Sequence, residues 1–161
     1  GGCTSGETPT SPPSAPSSIA VAPTTTVIPT TSAMTDEEAA IAAARNDYEE
    51  FNRALVTLDT HEFRAVVQPG CLVCEEDASK IESLRASGRK IVGGHTSLAN
   101  PQIESRTSPS EVVVVAHLGV AAMQVLDASG KIVASSTAKD VQMRLWLRKE
   151  GARWLVQAVF S

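Results

Sequence analysis

The sequence predicts an α+β fold in which helices near the N-terminus pack on an antiparallel β-sheet. Apolar residues recur at helical spacing over residues 35–59, and further helical patterns follow up to Gly88. From Arg89 onward, valine-rich runs separated by short turns are typical of antiparallel strands. Residues 1–34 have too few apolar side chains to fold. We therefore predict a disordered tail, residues 1–34, and one folded domain, residues 35–161.

The longest predicted helix spans residues 35–59, and the other elements are expected to cover its apolar face. Thr35 and Glu38 have the spacing of a capping box, and the acidic residues beside them favour the positive end of the helix dipole. Steps of three and four residues place the larger apolar side chains in one stripe. These side chains are Ile41, Ala44, Tyr48, Phe51, Leu55 and Leu58.

Two shorter helices are predicted after it. Asp59 and Glu62 have the spacing of a second capping box, which would begin a helix over about residues 60–67. A third helix is predicted to end at Gly88. Its apolar positions at helical spacing are Ala78, Ile81 and Leu84.

The second half of the chain is predicted to form strands. Gly93-Gly94 and Asn100-Pro101 indicate a short strand and an irregular connection after Arg89. Residues 111–126 form a long valine-rich run, and residues 131–148 form a second long strand that ends in clean alternation. Residues 153–160 form the last predicted strand.

Composition limits the function classes. Ser, Thr and Pro fill 21 of the 35 positions from Gly1 to Thr35, which predicts an extended, semi-stiff spacer. The net charge of −4 gives no reason to expect nucleic-acid binding, which usually needs a clustered basic excess. No cofactor or metal is expected.

The first residues resemble a bacterial lipoprotein cleavage site. Gly1-Gly2-Cys3 precedes the polar spacer, and in such proteins the cysteine that follows small residues becomes the lipid-bearing N-terminus. The resemblance implies a signal peptide, a palmitate-type anchor on Cys3 and a position on the outer face of the bacterial cytoplasmic membrane. The plainer alternative is a stray cysteine in a linker.

The folded domain also resembles a known fold. The motifs that carry this resemblance are PGCLVC at residues 69–74, residues 88–94 and GARWLV at residues 151–156. They are similar to an uncharacterised family of actinobacterial lipoproteins with a nuclear transport factor 2-like, or cystatin-like, domain. The resemblance implies a cone in which a long helix lies across a bent antiparallel sheet, with a pocket between them. It implies no known activity.

Cys71 and Cys74 allow three interpretations. A cysteine at a helix N-terminus has a lowered pKa, which would suit a redox pair, but no βαβ pattern surrounds it and acidic residues follow at once. A zinc site needs about four ligands, and the chain has no histidine pair at ligand spacing. We therefore expect a structural disulfide that joins the second helix to the third, as exported proteins use.

His117 is the candidate catalytic base. It lies in an apolar run, and alternation places it on the face of Val113 and Val115, with no carboxylate among its neighbours on that strand. Asp127 and Asp140 are candidate partners, but spacing selects neither. Because a base must be oriented by a second group, we expect no catalytic residues and no enzyme activity.

Arg144, Trp146 and Arg148 share one face of a predicted strand and could form a binding strip with Trp146 as its anchor. The alternative is an ordinary solvent face on which arginine stems cover the indole ring.

The preferred function is a lipid-anchored, non-catalytic domain that binds an envelope protein or a small apolar ligand. A pocket enzyme using His117 and a thiol oxidoreductase using Cys71 and Cys74 are the alternatives.

Overall fold

The computed structural model describes residues 11–16 and 33–161, and Ala33–Ser161 form one folded unit. Within this unit three helices precede seven strands: α1 (Asp36–Thr57), α2 (His61–Val66), α3 (Leu72–Ala86), β1 (Lys90–Gly93), β2 (Thr96–Ser108), β3 (Glu111–Val120), β4 (Met123–Leu126), β5 (Ile132–Ser136), β6 (Lys139–Glu150) and β7 (Arg153–Phe160). The predicted α+β class is confirmed. Cys3 and most of the predicted tail lie outside the described residues. Over the described part of the chain, no helix combines the length and apolar character that crossing a membrane requires.

The capping box that begins α1 is confirmed. The backbone nitrogen of Thr35 donates to Oε2 of Glu38 at 2.8 Å, and the backbone nitrogen of Glu38 donates to Oγ1 of Thr35 at 3.2 Å. At the other end Leu58 adopts a left-handed conformation with φ 56°, and its N–H donates to the carbonyl of Ala54. This motif satisfies a carbonyl that the last turn would otherwise leave without a partner.

The second predicted capping box does not form. Asp59 instead accepts a hydrogen bond from the backbone nitrogen of His61 at 3.0 Å, while the Glu62 carboxylate lies 3.0 Å from the His61 ring. The N-cap residue Thr60 uses its hydroxyl to bond Glu82 of α3. The N-terminus of α2 is therefore held by a turn through Asp59 and by a contact with another helix.

The strands form two antiparallel sheets that meet at a bend. One sheet has the order β2-β3-β6-β7 and the other the order β1-β4-β5. The chain changes sheet between β1 and β2, between β3 and β4, and between β5 and β6. The predicted long strands 111–126 and 131–148 were wrong as single strands, because each one crosses this bend and divides there.

Gly93 makes the bend sterically feasible. Its φ is +78°, and a Cβ atom at this position would lie 2.2 Å from the carbonyl oxygen of Ala122. The same carbonyl accepts a hydrogen bond from the backbone nitrogen of Gly94 at 3.0 Å, and Ala121 donates to the carbonyl of His95 at 2.9 Å. The two strand pairs thus approach closely where the sheet divides.

The irregular connection predicted after Arg89 is instead a long strand with a bulge. β2 contains 13 residues and pairs with β3 on both sides of the irregularity. Asn100 and Pro101 fall between the paired residues Ala99 and Gln102, and Asn100 has a φ of 50°. Proline cannot donate a ladder hydrogen bond, so a bulge is where a strand tolerates it.

The core lies between the helices and the inner face of the four-stranded sheet. Val112, Val114 and Leu118 alternate inward along β3, and Leu145 and Leu147 do the same along β6. The buried face of α1 differs slightly from the predicted stripe. Its buried residues are Ala40, Ala44, Asp47, Tyr48, Ala54 and Leu55. The helix therefore packs through small side chains as well as through larger predicted ones. Three of the predicted residues, Ile41, Phe51 and Leu58, are only half-buried.

A side-chain clamp fixes α1 to the beginning of β2. The amide of Asn52 donates to the carbonyl of Thr96 at 2.8 Å, and its Oδ1 accepts from the backbone nitrogen and the hydroxyl of Thr96 at 2.8 and 2.9 Å. Thr96 is buried, so water cannot readily replace these bonds. The clamp sets the position of α1 where the chain enters the four-stranded sheet.

We expect Asn52→Ala to lower the free energy of unfolding by about 2–4 kcal/mol, because it leaves buried polar atoms of Thr96 without partners. Urea denaturation would measure the loss. Asn46→Ala, at an exposed position of the same helix, is the matched control and should cost less than about 1 kcal/mol. Equal losses for the two variants would show that the clamp contributes nothing.

Candidate ligand-binding cavity

A cavity of about 890 Å³ opens between the helices and the two sheets. Its volume lies within the range of small-molecule binding sites. All three helices and both sheets contribute to its wall. The apolar lining residues include Phe51, Leu55, Phe63, Ile81, Leu84, Ile91, Leu118, Val120, Met123, Met143 and Val159. The cavity is therefore mainly hydrophobic.

One carboxyl group interrupts this apolar wall. Asp47 of α1 lines the cavity, is only 4% exposed, and its Oδ1 has no hydrogen-bond donor among the described residues. Burial, and to a smaller extent the negative charge of Asp77, raise the pKa of Asp47 to about 7. Burying a carboxyl group without a hydrogen-bond partner costs free energy of folding, most of all when the group is ionised.

Asp77 of α3 is the second carboxyl group in the wall. It is half-buried, and desolvation raises its pKa, although the nearby charge of Lys80 opposes the shift. Lys80 also lines the cavity, but its ammonium group lies 2.7 Å from Glu76 on the outside of the helix. Tyr48 borders the same region, where burial and the two carboxyl groups raise its pKa. The polar part of the cavity wall thus contains two carboxyl groups and Tyr48, and the hydroxyl residues Thr96, Ser135, Ser136 and Thr137 also line it.

His117 lies outside this cavity. It is on the outer face of the four-stranded sheet, as the predicted alternation with Val113 and Val115 requires. Its Nδ1 is 3.4 Å from Oδ1 of Asp140, and the two side chains are 56% and 70% exposed. The structure thus selects Asp140 over Asp127 as the partner, but an exposed pair away from any enclosed space is a poor acid–base site.

The predicted binding strip occupies the same outer face. Arg144 forms two-pronged hydrogen bonds with the carboxylate of Glu104 at 2.8 to 3.0 Å, and Arg148 lies 3.9 Å from Glu111. Trp146 is half-buried between them. These arginines are already engaged within the sheet, which agrees with the solvent-face alternative. Whether the strip binds a partner stays a prediction.

Cys71 and Cys74 form a disulfide. Both residues are buried, at 1% and 3% exposure, which does not suit an exposed redox pair. No group of metal-binding side chains occurs among the described residues. The expected link between the second and third helices is wrong, because Cys71 is the N-cap of α3 and Cys74 lies in its first turn. α2 and α3 are instead joined by Arg64, which pairs with Glu75 and Glu82.

No protein-family model and no curated protein matches this chain. The intermembrane space region of the chloroplast protein ARC6 superposes with a TM-score of 0.50 at 12% identity, covering 74% of this chain and 94% of that one. A protein of unknown function with a cystatin-like fold from Nostoc punctiforme gives 0.44 at 12%, covering 73% and 86%. The beta subunit of benzoate 1,2-dioxygenase from Burkholderia mallei gives 0.49 at 11%, covering 73% and 86%.

The chain has a cystatin-like fold. Three helices against a bent antiparallel sheet give the cone that the sequence resemblance implied, so the predicted nuclear transport factor 2-like architecture is confirmed. At these identities the likeness concerns the fold alone. The resemblance to actinobacterial lipoproteins stays a prediction.

The two carboxyl groups of the cavity were not predicted, because the strands were expected to line the pocket and Asp47 and Asp77 lie on helices. A signal for Asp47 was present. It lies three residues after Ala44 and four before Phe51, and so falls within the apolar stripe of α1. An acidic residue in such a stripe either is buried, which costs desolvation free energy, or lines a cavity. Asp47 is buried and also lines the cavity.

We expect Asp47→Asn to stabilise the protein at alkaline pH but not at acidic pH. The raised pKa means that the contribution of Asp47 to stability is complete below about pH 3.8 and is lost as the pH rises through about 7. The variant should therefore gain about 2–4 kcal/mol relative to the parent near pH 8 and little near pH 4. Asp77 is present in both proteins, and its repulsion of ionised Asp47 is part of the cost that the variant removes.

Thermal and urea unfolding at the two pH values would measure the difference, with the exposed Glu49→Gln on the same helix as the control. A gain that is equal at both pH values would contradict the raised pKa.

Proposed function

We propose that this protein is a lipid-anchored extracytoplasmic domain that binds a small, mostly apolar ligand without transforming it. The observation that carries the proposal is the cavity of about 890 Å³, whose walls are mainly aliphatic and aromatic. Burial of a ligand against such walls supplies favourable free energy in proportion to the apolar area removed from water. The outer-face strip is more polar and is occupied by its own ion pairs.

Binding accounts for the cavity better than catalysis does. A general base must be held by a second group that fixes its orientation and protonation. Oδ1 of Asp47 accepts no hydrogen bond from the described residues, and His117 lies on the opposite face of the sheet. The buried disulfide likewise offers no accessible thiol for redox exchange.

The proposed location rests on the sequence. Cys3 lies outside the described residues, and its sequence context resembles the cleavage site of a bacterial lipoprotein. In the sequence, a Ser/Thr/Pro-rich spacer separates this cysteine from the folded domain.

The anchor can be tested by producing the chain from its complete gene in a bacterial host. We expect metabolic labelling with an alkyne fatty acid and recovery in the membrane fraction. Cys3→Ser should abolish both, whereas the neighbouring Ser5→Ala should change neither. Membrane recovery of Cys3→Ser at the parental level would contradict the lipid anchor.

The cavity can be tested with the neutral fluorescent probe N-phenyl-1-naphthylamine. Val120→Trp would fill the cavity from β3, and we expect it to weaken probe binding at least about tenfold. Val113→Trp makes the same substitution on the outer face of the same strand and should leave the affinity within about threefold. No binding by the parent, or equal effects of the two variants, would overturn the proposed binding function.

A further inference from the structure

We propose that the cavity selects ligands in which a basic amine is attached to an apolar body, with Asp47 and Asp77 as the anionic receptor. This inference rests on the proposed binding function and adds to it the chemical class of the ligand. The mainly apolar cavity contains Asp47, to which the described residues offer no hydrogen-bond donor at Oδ1, and Asp77, on which the charge of Lys80 acts.

In the described part of the chain, the Asp47 carboxyl group lacks a hydrogen-bond donor at Oδ1. Oδ1 of Asp47 is buried and has no hydrogen-bond partner among the described residues, although Asp47 lies in the cavity wall. Buried acceptors are nearly always satisfied by protein, water or ligand. A ligand that carries an N–H group could donate to the Asp47 carboxyl group where this side chain lines the cavity.

The charged groups around the cavity determine which ligand charge it favours. The ionisable side chains around the cavity, apart from Asp47, are Tyr48 on the same helix, Asp77 and Lys80 on α3, and Lys139 on β6. Lys80 is bonded to Glu76, and Lys139 is exposed at the start of its strand. The charge that acts on Asp47 most strongly is that of Asp77, which is also negative. Two negatively charged carboxylates that are partly shielded from water favour the binding of a cation over that of an anion or a neutral group.

The cavity wall suits an organic cation better than a metal ion. A calcium or magnesium site needs about six oxygen ligands, many of them from the protein or from water. The described residues contain no cluster of three or more metal-binding side chains, and most of the cavity wall is apolar. An alkylammonium group needs only the two carboxylates, and its hydrocarbon part would contact Phe51, Leu118 and Met143.

The test compares three ligands with the same ten-carbon chain and different head groups: decylammonium, 1-decanol and decanoate. Isothermal titration calorimetry with the full chain near pH 8 should give decylammonium an affinity at least about tenfold above that of 1-decanol, with decanoate the weakest. Near pH 5 the affinity for decylammonium should fall about tenfold or more as Asp47 takes up a proton, while that for 1-decanol should change less than about threefold.

Asp47→Asn preserves the shape of the side chain and should remove the advantage in affinity that decylammonium has over 1-decanol. Asp77→Asn is the second variant, so that the test does not depend on one substitution, and should reduce the advantage by at least about threefold. Glu49→Gln, which removes an exposed charge from α1, is the control and should leave the advantage unchanged.

The outcomes separate the two proposals. If 1-decanol binds but decylammonium has no advantage, or if the advantage survives in Asp47→Asn, the amine selectivity is overturned and the apolar binding function stands. Stronger binding of decanoate has the same meaning. If none of the three ligands binds, the binding function itself is overturned, and the selectivity with it.

Discussion

The arrangement of the domain depends on the three hydrogen bonds between Asn52 and Thr96. They join the C-terminal part of α1 to the first residue of β2, just beyond the glycines where the sheet divides. Because backbone groups of Thr96 take part, the helix contacts the sheet through polar bonds of defined geometry as well as through apolar contacts. The orientation of α1 determines which of its residues face the core and which face the cavity.

The same helix therefore supplies both a packing surface and a polar site. Ala40 and Ala44 lie fully buried against the core, and one turn further on Asp47 reaches the cavity wall. The four-stranded sheet contributes chiefly aliphatic side chains on its inner face, and charged residues such as Arg144 and Glu104 pair on its outer face. This division explains why the charged chemistry of the interior comes from α1 and α3.

Local patterns in the sequence were sufficient for the features that depend on near neighbours. The capping box of Thr35 and Glu38, the order of helices before strands and the opposite faces of β6 all follow from spacing along one element. The bend could not be derived in this way, because valine-rich runs look alike on either side of it and the break depends on the close approach of Gly93 to Ala122. The place of Asp47 in the cavity wall was missed for a related reason. Whether a carboxyl group in an apolar stripe lies in the core or lines a cavity depends on the residues of other elements that surround it. The disulfide pair was predicted, but its placement within one helix depended on where α3 begins.

The last strand, β7, contacts all three helices, and Val156 at its centre is fully buried and accepts a hydrogen bond from the backbone of Gln68. α1 is made first and β7 last, so these contacts close the longest loops in the domain, and their entropic cost must be met before they stabilise anything. Without β7, α1 can still pack on α2 and β2, but all three helices lack their contacts with the last strand. The domain therefore reaches its full set of helix–sheet contacts only when β7 is in place.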